Sequence, residues 1–184
     1  MLKGQNIYLR TIADKDIKEF LELNEDLSLR GDYFPIDILT EKNFYKWYNE
    51  TGLWNDDFGR MLIFDNNHTM IGYINYFKTI CYFDAYEIGY IIYKNEYRKK
   101  GYTTEAVKLF CDYLFKAKKI TRLEIRCSTE NIASKRVAEK SGFTHEGTSK
   151  SAFRRAGKLY DSEIYALTID MWEKQINSLN KYLI

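Results

Sequence analysis

The stretch Glu87 to Thr104, EIGYIIYKNEYRKKGYTT, decides how the rest of the chain is read. Ile88 to Tyr93 is an apolar run of strand length, the pattern of a strand buried on both faces. A basic turn follows, Arg98-Lys99-Lys100-Gly101-Tyr102-Thr103, and the chain enters a helical pattern at Thr104-Glu105-Ala106-Val107. A strand, a basic loop with a glycine and a helix N-terminus together make a seat for phosphate. Backbone N–H groups converge there and the helix dipole favours anions. Taken alone, the turn reads equally as a solvated basic loop, because short glycine motifs recur by chance. It lacks the Lys-Ser/Thr pair of a P-loop and, with one glycine, the dinucleotide fingerprint.

On the N-terminal side, residues 5–12 alternate as a strand. Asp14 is a candidate N-cap for a helix carrying Ile17, Phe20, Leu21 and Asn24 to about Asp26. Residues 27–39, with the only proline, Pro35, read as a loop. Thr40 opens a second amphipathic helix with Phe44, Trp47 and Tyr48 on one face. Arg60 to Phe64 and Met70 to Phe77 form a hairpin around Asp65-Asn66-Asn67-His68, and Tyr86 to Tyr93 is the next strand. Towards the C-terminus, Thr104 to Lys116 reads as a helix, Arg122 to Cys127 as a strand, and Asn131 to Lys140 as a helix stopped at Ser141-Gly142. Phe143 to Ser151 and Ser162 to Ile169 are strands joined by a polar link over 154–158. A last helix spans Met171 to Leu183. The alternation predicts one α/β domain over 1–184, with a mixed sheet and helices on both faces.

At 184 residues the chain is long enough for a sizeable core, and 45% apolar with 29% charged residues argues against disorder. The net charge of +2 is too balanced for a nucleic-acid-binding protein, so any phosphate site has to be a local cluster. Three cysteines, Cys81, Cys111 and Cys127, show no metal spacing, and the histidines are only His68 and His145. This pattern predicts a reduced, metal-free, cytoplasmic protein. The N-terminus has no apolar segment of a signal peptide, and no run approaches the roughly 20 residues of a membrane span.

A second segment, Asn131-Ile132-Ala133-Ser134 to Lys140-Ser141-Gly142-Phe143, lies one helix and one strand after the basic loop. By itself it is an N-cap and a surface serine on a short helix. Together the two segments resemble the Gcn5-related N-acetyltransferase (GNAT) superfamily. Arg98, Gly101 and Thr103 match its acyl-CoA signature, Arg/Gln-x-x-Gly-x-Gly/Ala, with Thr103 replacing the usual small third residue. Asn131, Ser134, Lys140, Gly142 and Phe143 match its later signature. The flanks Ile7-Tyr8-Leu9-Arg10, Glu87-Ile88-Gly89-Tyr90, Glu146-Gly147 and Tyr160-Asp161 resemble the RimJ/RimL-like branch.

The resemblance implies a mostly antiparallel central sheet with a splayed V between the strands Ile88–Tyr93 and Arg122–Cys127. It implies acetyl-CoA as cosubstrate, with no metal. Ile91, Ile92 and Tyr93 would line the pantetheine arm, with strand-like hydrogen bonds to Ile91 and Tyr93. An N–H near Tyr90 or Ile91 would polarise the thioester. Arg98, Lys99, Lys100, Gly101, Tyr102, Thr103 and Thr104 would hold the pyrophosphate, while Asn131 and Ser134 line the far side. Arg98, Lys100 or Lys135 would reach the adenosine phosphates.

An attacking amine, mostly protonated near neutral pH, needs a base. Glu87 is the candidate, against the simpler reading of a strand-end carboxylate; Asp84 and Glu163 are alternatives, and His145 reads as structural. The tyrosine that serves many members as acid is replaced by Ala138, leaving Ser134 as a substitute, and a carboxylate of the RimL-like branch is replaced by Phe153. The acceptor is expected to be an amine, a protein or peptide N-terminus. The alternatives are a small amine (polyamine, aminoglycoside or peptide-like antibiotic) and a non-catalytic CoA sensor. Its site would come from residues 27–58 and the last hairpin, with Asp56, Asp57 and Asp84 attracting a cation. Monomer and homodimer are both compatible with the sequence.

Overall fold

The computed structural model describes residues 1–180. The strands are β1 (Leu2–Lys3), β2 (Ile7–Arg10), β3 (Phe58–Asp65), β4 (Met70–Phe77), β5 (Ala85–Ile92), β6 (Arg122–Ser128), β7 (Thr144–Arg155) and β8 (Lys158–Thr168). The helices are α1 (Ile17–Glu25), α2 (Glu41–Thr51), α3 (Tyr102–Ala117), α4 (Ile132–Lys140) and α5 (Ile169–Asn180). The final helix was expected to reach Leu183, and residues 181–183 lie outside the described residues.

All eight strands join one sheet in the order β1-β2-β3-β4-β5-β6-β8-β7. Every neighbouring pair is antiparallel except β5 and β6. That parallel pair is short: Ala85, Tyr86 and Glu87 pair with Arg122, Leu123 and Glu124, and the ladder ends there. Beyond Glu87 the two strands part, which is the V that the family resemblance implied. α3 makes the crossover between them, as a parallel connection requires.

The strand period of two sorts side chains onto two cores. On one face, Tyr86, Ile88 and Ile92 of β5 and Leu123, Ile125 and Cys127 of β6 pack against Val107, Phe110 and Leu114 of α3 and Ala138 of α4. On the other, Leu62, Tyr73 and Ile91 pack against Phe20 of α1 and Phe44 of α2. Phe20 and Phe44 are fully buried, with ring centroids 5.5 Å apart. Truncating either to alanine would cost about 3–5 kcal/mol.

Local chemistry sets the helix ends. Thr40 Oγ1 accepts the Asn43 N–H, and Asn131 Oδ1 accepts the Ser134 N–H at 3.1 Å. Gly142, at φ 87°, ends α4 as expected. Asp14 is not the N-cap of α1. A 3-10 turn over Asp14–Asp16 precedes that helix, and Asp16 accepts the Ala13 N–H and a bidentate Arg10 pair. The Asp14 carboxylate instead accepts the Tyr48 hydroxyl and ties α1 to α2. The polar link of the last hairpin shrinks to Ala156-Gly157, with φ 46° and 81°. Two positive φ values match the twist of flanking strands, so the ladder continues almost to the tip.

Candidate active site

Glu87 stands at the vertex of the V, on the face covered by α1 and α2. Its carboxylate is 16% exposed and lies 3.5 Å from Arg126 Nε of β6. Its pKa is pushed up to about 7, chiefly by burial, with Glu124 adding to the rise and Arg126 opposing it. Arg126 also holds buried Glu124 at 2.8 Å, and Arg122 joins Glu124 to Glu146. The result is a charge ladder along β6 ending at Glu87. A carboxylate with a pKa near 7 can take a proton from an amine and still be ionised about half the time at neutral pH.

The alternative bases fare differently. Glu163 lies on the opposite face, where Lys135 (3.1 Å), Thr148 (2.8 Å) and His145 (2.5 Å) surround it. These donors push its pKa down to about 2. Asp84 sits with Asp56, Asp57, Lys118 and Lys119 around a depression at the C-terminal end of α3. Tyr86 lines that depression, and Tyr86 points away from the Glu87 face. The three aspartates therefore do not converge on Glu87.

At the other end of β5, the loop enters α3 through Lys99 (φ 62°) and Gly101 (φ 85°). The main-chain N–H groups of residues 99–104 have no hydrogen-bond partner among the described residues; the first bonded one is Glu105, to the Gly101 carbonyl. Two left-handed residues, Lys99 and Gly101, ahead of a 16-residue helix leave a run of unpaired donors at its N-terminus. A Cβ on Gly101 would meet nothing within 4 Å, so the space over the loop is open. α3 starts at Tyr102, two residues earlier than expected, which places Tyr102, Thr103 and Thr104 in its first turn.

Two expected phosphate ligands, Arg98 and Lys135, and the expected arm-lining Asn131 are otherwise engaged. Arg98 donates to the carbonyls of Ile92 (3.1 Å), Tyr93 (3.0 Å) and Leu29 (3.1 Å) and to Asn95 Oδ1 (2.8 Å). Its guanidinium is a clamp between the end of β5 and the loop after α1. Lys135 is held by Glu163. Asn131 uses its carbonyl oxygen as a helix cap. The free cations at the loop are exposed Lys99 and Lys100, the latter 5.7 Å from the Tyr97 ring centroid.

The strand lining the gap differs by one residue from expectation. The Tyr93 N–H donates to the Ile71 carbonyl of β4 at 3.0 Å. By alternation the main-chain groups of Ile91 share that direction, whereas those of Tyr90 and Ile92 face the gap. The Ile92 carbonyl accepts Arg98, which leaves the Tyr90 groups and the Ile92 N–H toward the gap.

Two functional candidates escaped the sequence reading. The Tyr90 hydroxyl is 2.8 Å from Ser134 Oγ across the V, and burial raises its pKa. Arg126 lies 3.5 Å from Glu87 and opposes the rise that burial causes in its pKa. Both have a strand-period signal: Arg122, Glu124 and Arg126 share one face of β6, and Tyr90 sits in phase with Tyr86, Ile88 and Ile92. Ala138 is buried, and Phe153 stacks on Tyr160. Among the described residues no cluster of His, Cys, Asp and Glu could hold a metal ion, and no helix is long and apolar enough to cross a membrane.

A single α/β domain on a mostly antiparallel sheet that opens into a V between β5 and β6 is the fold of the acetyltransferase (GNAT) class. The acetyltransferase (GNAT) domain family matches residues 6–144, and the chain belongs to that family. It is an acyltransferase of the N-acetyltransferase kind. YnaD, an uncharacterized N-acetyltransferase of Bacillus subtilis strain 168, is 29% identical over 170 residues, covering 91% of this chain and 96% of that one. The fold is shared with the spermidine N-acetyltransferase of Vibrio cholerae solved with CoA and spermine. That similarity has TM-score 0.80 and 19% identity, over 92% of this chain and 99% of that one. It is also shared with RimL, the ribosomal L7/L12 α-N-protein acetyltransferase solved with coenzyme A. There the TM-score is 0.77 and the identity 22%, over 91% and 97% of the two chains.

Proposed function

We propose that the protein transfers an acetyl group from acetyl-CoA directly to a primary amine, and that this amine is the N-terminus of a protein or peptide. The observation that carries the reading is Glu87 at the vertex of the V, with its pKa pushed up to about 7. Acetyl-CoA supplies the acyl group as a thioester. The residues present fit it: unpartnered N–H groups over 99–104 suit a pyrophosphate, and open space over Gly101 lets it approach.

Each residue then has a defined task. Glu87 takes the proton of the attacking amine. The N–H of Tyr90 or Ile92 donates toward the thioester oxygen; a donor of this kind contributes about 2.7–4 kcal/mol. The Tyr90–Ser134 hydroxyl pair lies across the gap and can hand a proton to the leaving sulfur. Asn131 Nδ2, free of partners among the described residues, lines the far side. Lys99 and Lys100 supply the loose electrostatic attraction at the phosphate end.

The peptide reading of the acceptor rests on the RimJ/RimL-like flanks. A screen of peptides with free N-termini, polyamines and aminoglycosides, read by mass increase of the acceptor and release of CoA thiol, tests it. Acetylation at a peptide α-amine is the expected outcome. Turnover confined to polyamines would overturn the acceptor. Acetyl-CoA binding without turnover on any amine would overturn the reaction.

A further inference from the structure

Arg60 of β3 lies on the same face of the sheet as Glu87. Its guanidinium carbon is 4.5 Å from the ring centroid of Tyr73, 5.2 Å from Phe58, 5.4 Å from Phe20 and 5.8 Å from Trp47. Ring faces attract the cation but accept none of its five N–H groups in a conventional hydrogen bond. Among the described residues Arg60 has neither an ion pair nor a side-chain hydrogen bond, and its Nε is buried without a partner. A buried donor left unpaired is costly, and more so when it is charged.

Arg60 lines a cavity of about 210 Å³ between the sheet and the α1–α2 loop, with Arg30, Tyr73, Asn24 and Trp47. Arg30 holds the rim: Nη1 donates to the Pro35 and Asp37 carbonyls and Nη2 to the Asn24 carbonyl. Its Nε is likewise buried and unpartnered. The Tyr73 hydroxyl has no hydrogen-bond partner among the described residues. Asp37 is the one acid on the lining; it is exposed, and it forms no ion pair with either arginine. Two cations, a phenol and aromatic walls therefore converge, and the one acid on the lining pairs with neither cation.

We infer that this cavity binds a carboxylate carried by the acceptor, so that the preferred substrate is a peptide with an acidic residue near its free N-terminus. The inference rests on the peptide reading above. Register supplies the distance: Arg60 is opposite Asn75, Asn75 is opposite Gly89, and Glu87 is two residues further along β5. Two strand spacings and two residues separate the Cα atoms of Arg60 and Glu87 by about 12 Å. An extended chain rises about 3.3–3.6 Å per residue, so a carboxylate on the third or fourth residue spans from one to the other. A polyamine carries no group for this cavity and brings charge of the wrong sign.

The test uses two tetrapeptide amides with free N-termini, Ala-Ala-Glu-Ala and Ala-Ala-Gln-Ala, with spermidine as a third ligand. Binding to the full chain with CoA present is measured by calorimetry, and acetylated product is measured separately. The glutamyl peptide is expected to bind about tenfold more tightly than the glutaminyl one. Arg60→Gln is expected to bring that ratio to about one while CoA affinity stays the same. Should Arg60→Gln fail to fold, Arg60→Lys retains the charge without the fork and is expected to show an intermediate ratio. Equal affinities in the wild type, a ratio that survives either substitution undiminished, or tighter binding of spermidine overturns the inference. Failure of the peptide reading looks different: the glutamyl preference persists in binding but neither peptide is acetylated.

Discussion

The two faces of this sheet are built from the same strands but differ in kind. Under α3 and α4, strands β5 and β6 present hydrocarbon, relieved on β5 by the Tyr90 hydroxyl reaching Ser134. Under α1 and α2 the same strands present Glu87, Glu124 and Arg126, with Asn75 buried beside them. Burying charge is costly unless it is paired and hydrogen-bonded. One face keeps a partly compensated carboxylate at a strand junction, while the opposite face is mostly hydrocarbon with one hydroxyl pair.

The contrast can be broken most severely at Glu87. Glu87→Gln is expected to lower kcat/KM by about 10²–10⁴-fold while leaving acetyl-CoA affinity intact, because it removes only the base. In the wild type, activity should rise with pH through about 7, where Glu87 loses its proton, and that limb should vanish in the variant. A pH profile unchanged by the substitution would place the base elsewhere.

Gly101→Glu comes next. No neighbour lies within 4 Å of the new Cβ, so the fold is expected to persist. The φ of 85° strains any L-residue and the carboxylate repels phosphate. Calorimetry should show acetyl-CoA affinity reduced roughly a hundredfold, with circular dichroism unchanged. Normal affinity would remove the loop from the cofactor site.

Tyr90→Phe removes one hydroxyl from the mostly hydrocarbon face. The expected loss is about tenfold in kcat, with KM for the amine unchanged, since only the leaving sulfur is affected. If Ser134→Ala has the same effect and the double variant adds nothing, the two hydroxyls act as a unit. Full additivity would separate them.

Arg126→Gln sharpens the comparison most finely. The Arg126 cation lowers the pKa of Glu87, so its loss should move the acid limb upward, by about one pH unit. Activity at pH 9 should change little and activity at pH 6 should fall. A downward movement would contradict the sign of the interaction.

How much of this was legible depended on whether the cause was local. The Thr40 and Asn131 caps and the Gly142 stop were readable because each acts within a few residues. The V and the donor loop were readable through two spaced motifs. The direction of Arg98 was not, because its acceptor Leu29 lies on a distant loop. Nor was the phase of β5: which residues face the gap is fixed by the bond from Tyr93 to Ile71, and a one-residue change reverses the assignment. The burial of Glu87 depends on a strand that arrives only after α3. Arg60 looked like a hairpin residue because three of the rings around it come from α1, α2 and β4, and only Phe58 comes from its own strand.

The donors over residues 99–104 belong to the peptide bond itself. Nineteen of the twenty amino acids carry that N–H, and only proline subtracts it. Outside Gly101, whose φ of 85° calls for glycine, side chains in the loop can change, as Thr103 illustrates, without removing those N–H groups. A proline placed at each position in turn would count the contributing donors one by one. Most substitutions in the loop leave these backbone donors in place.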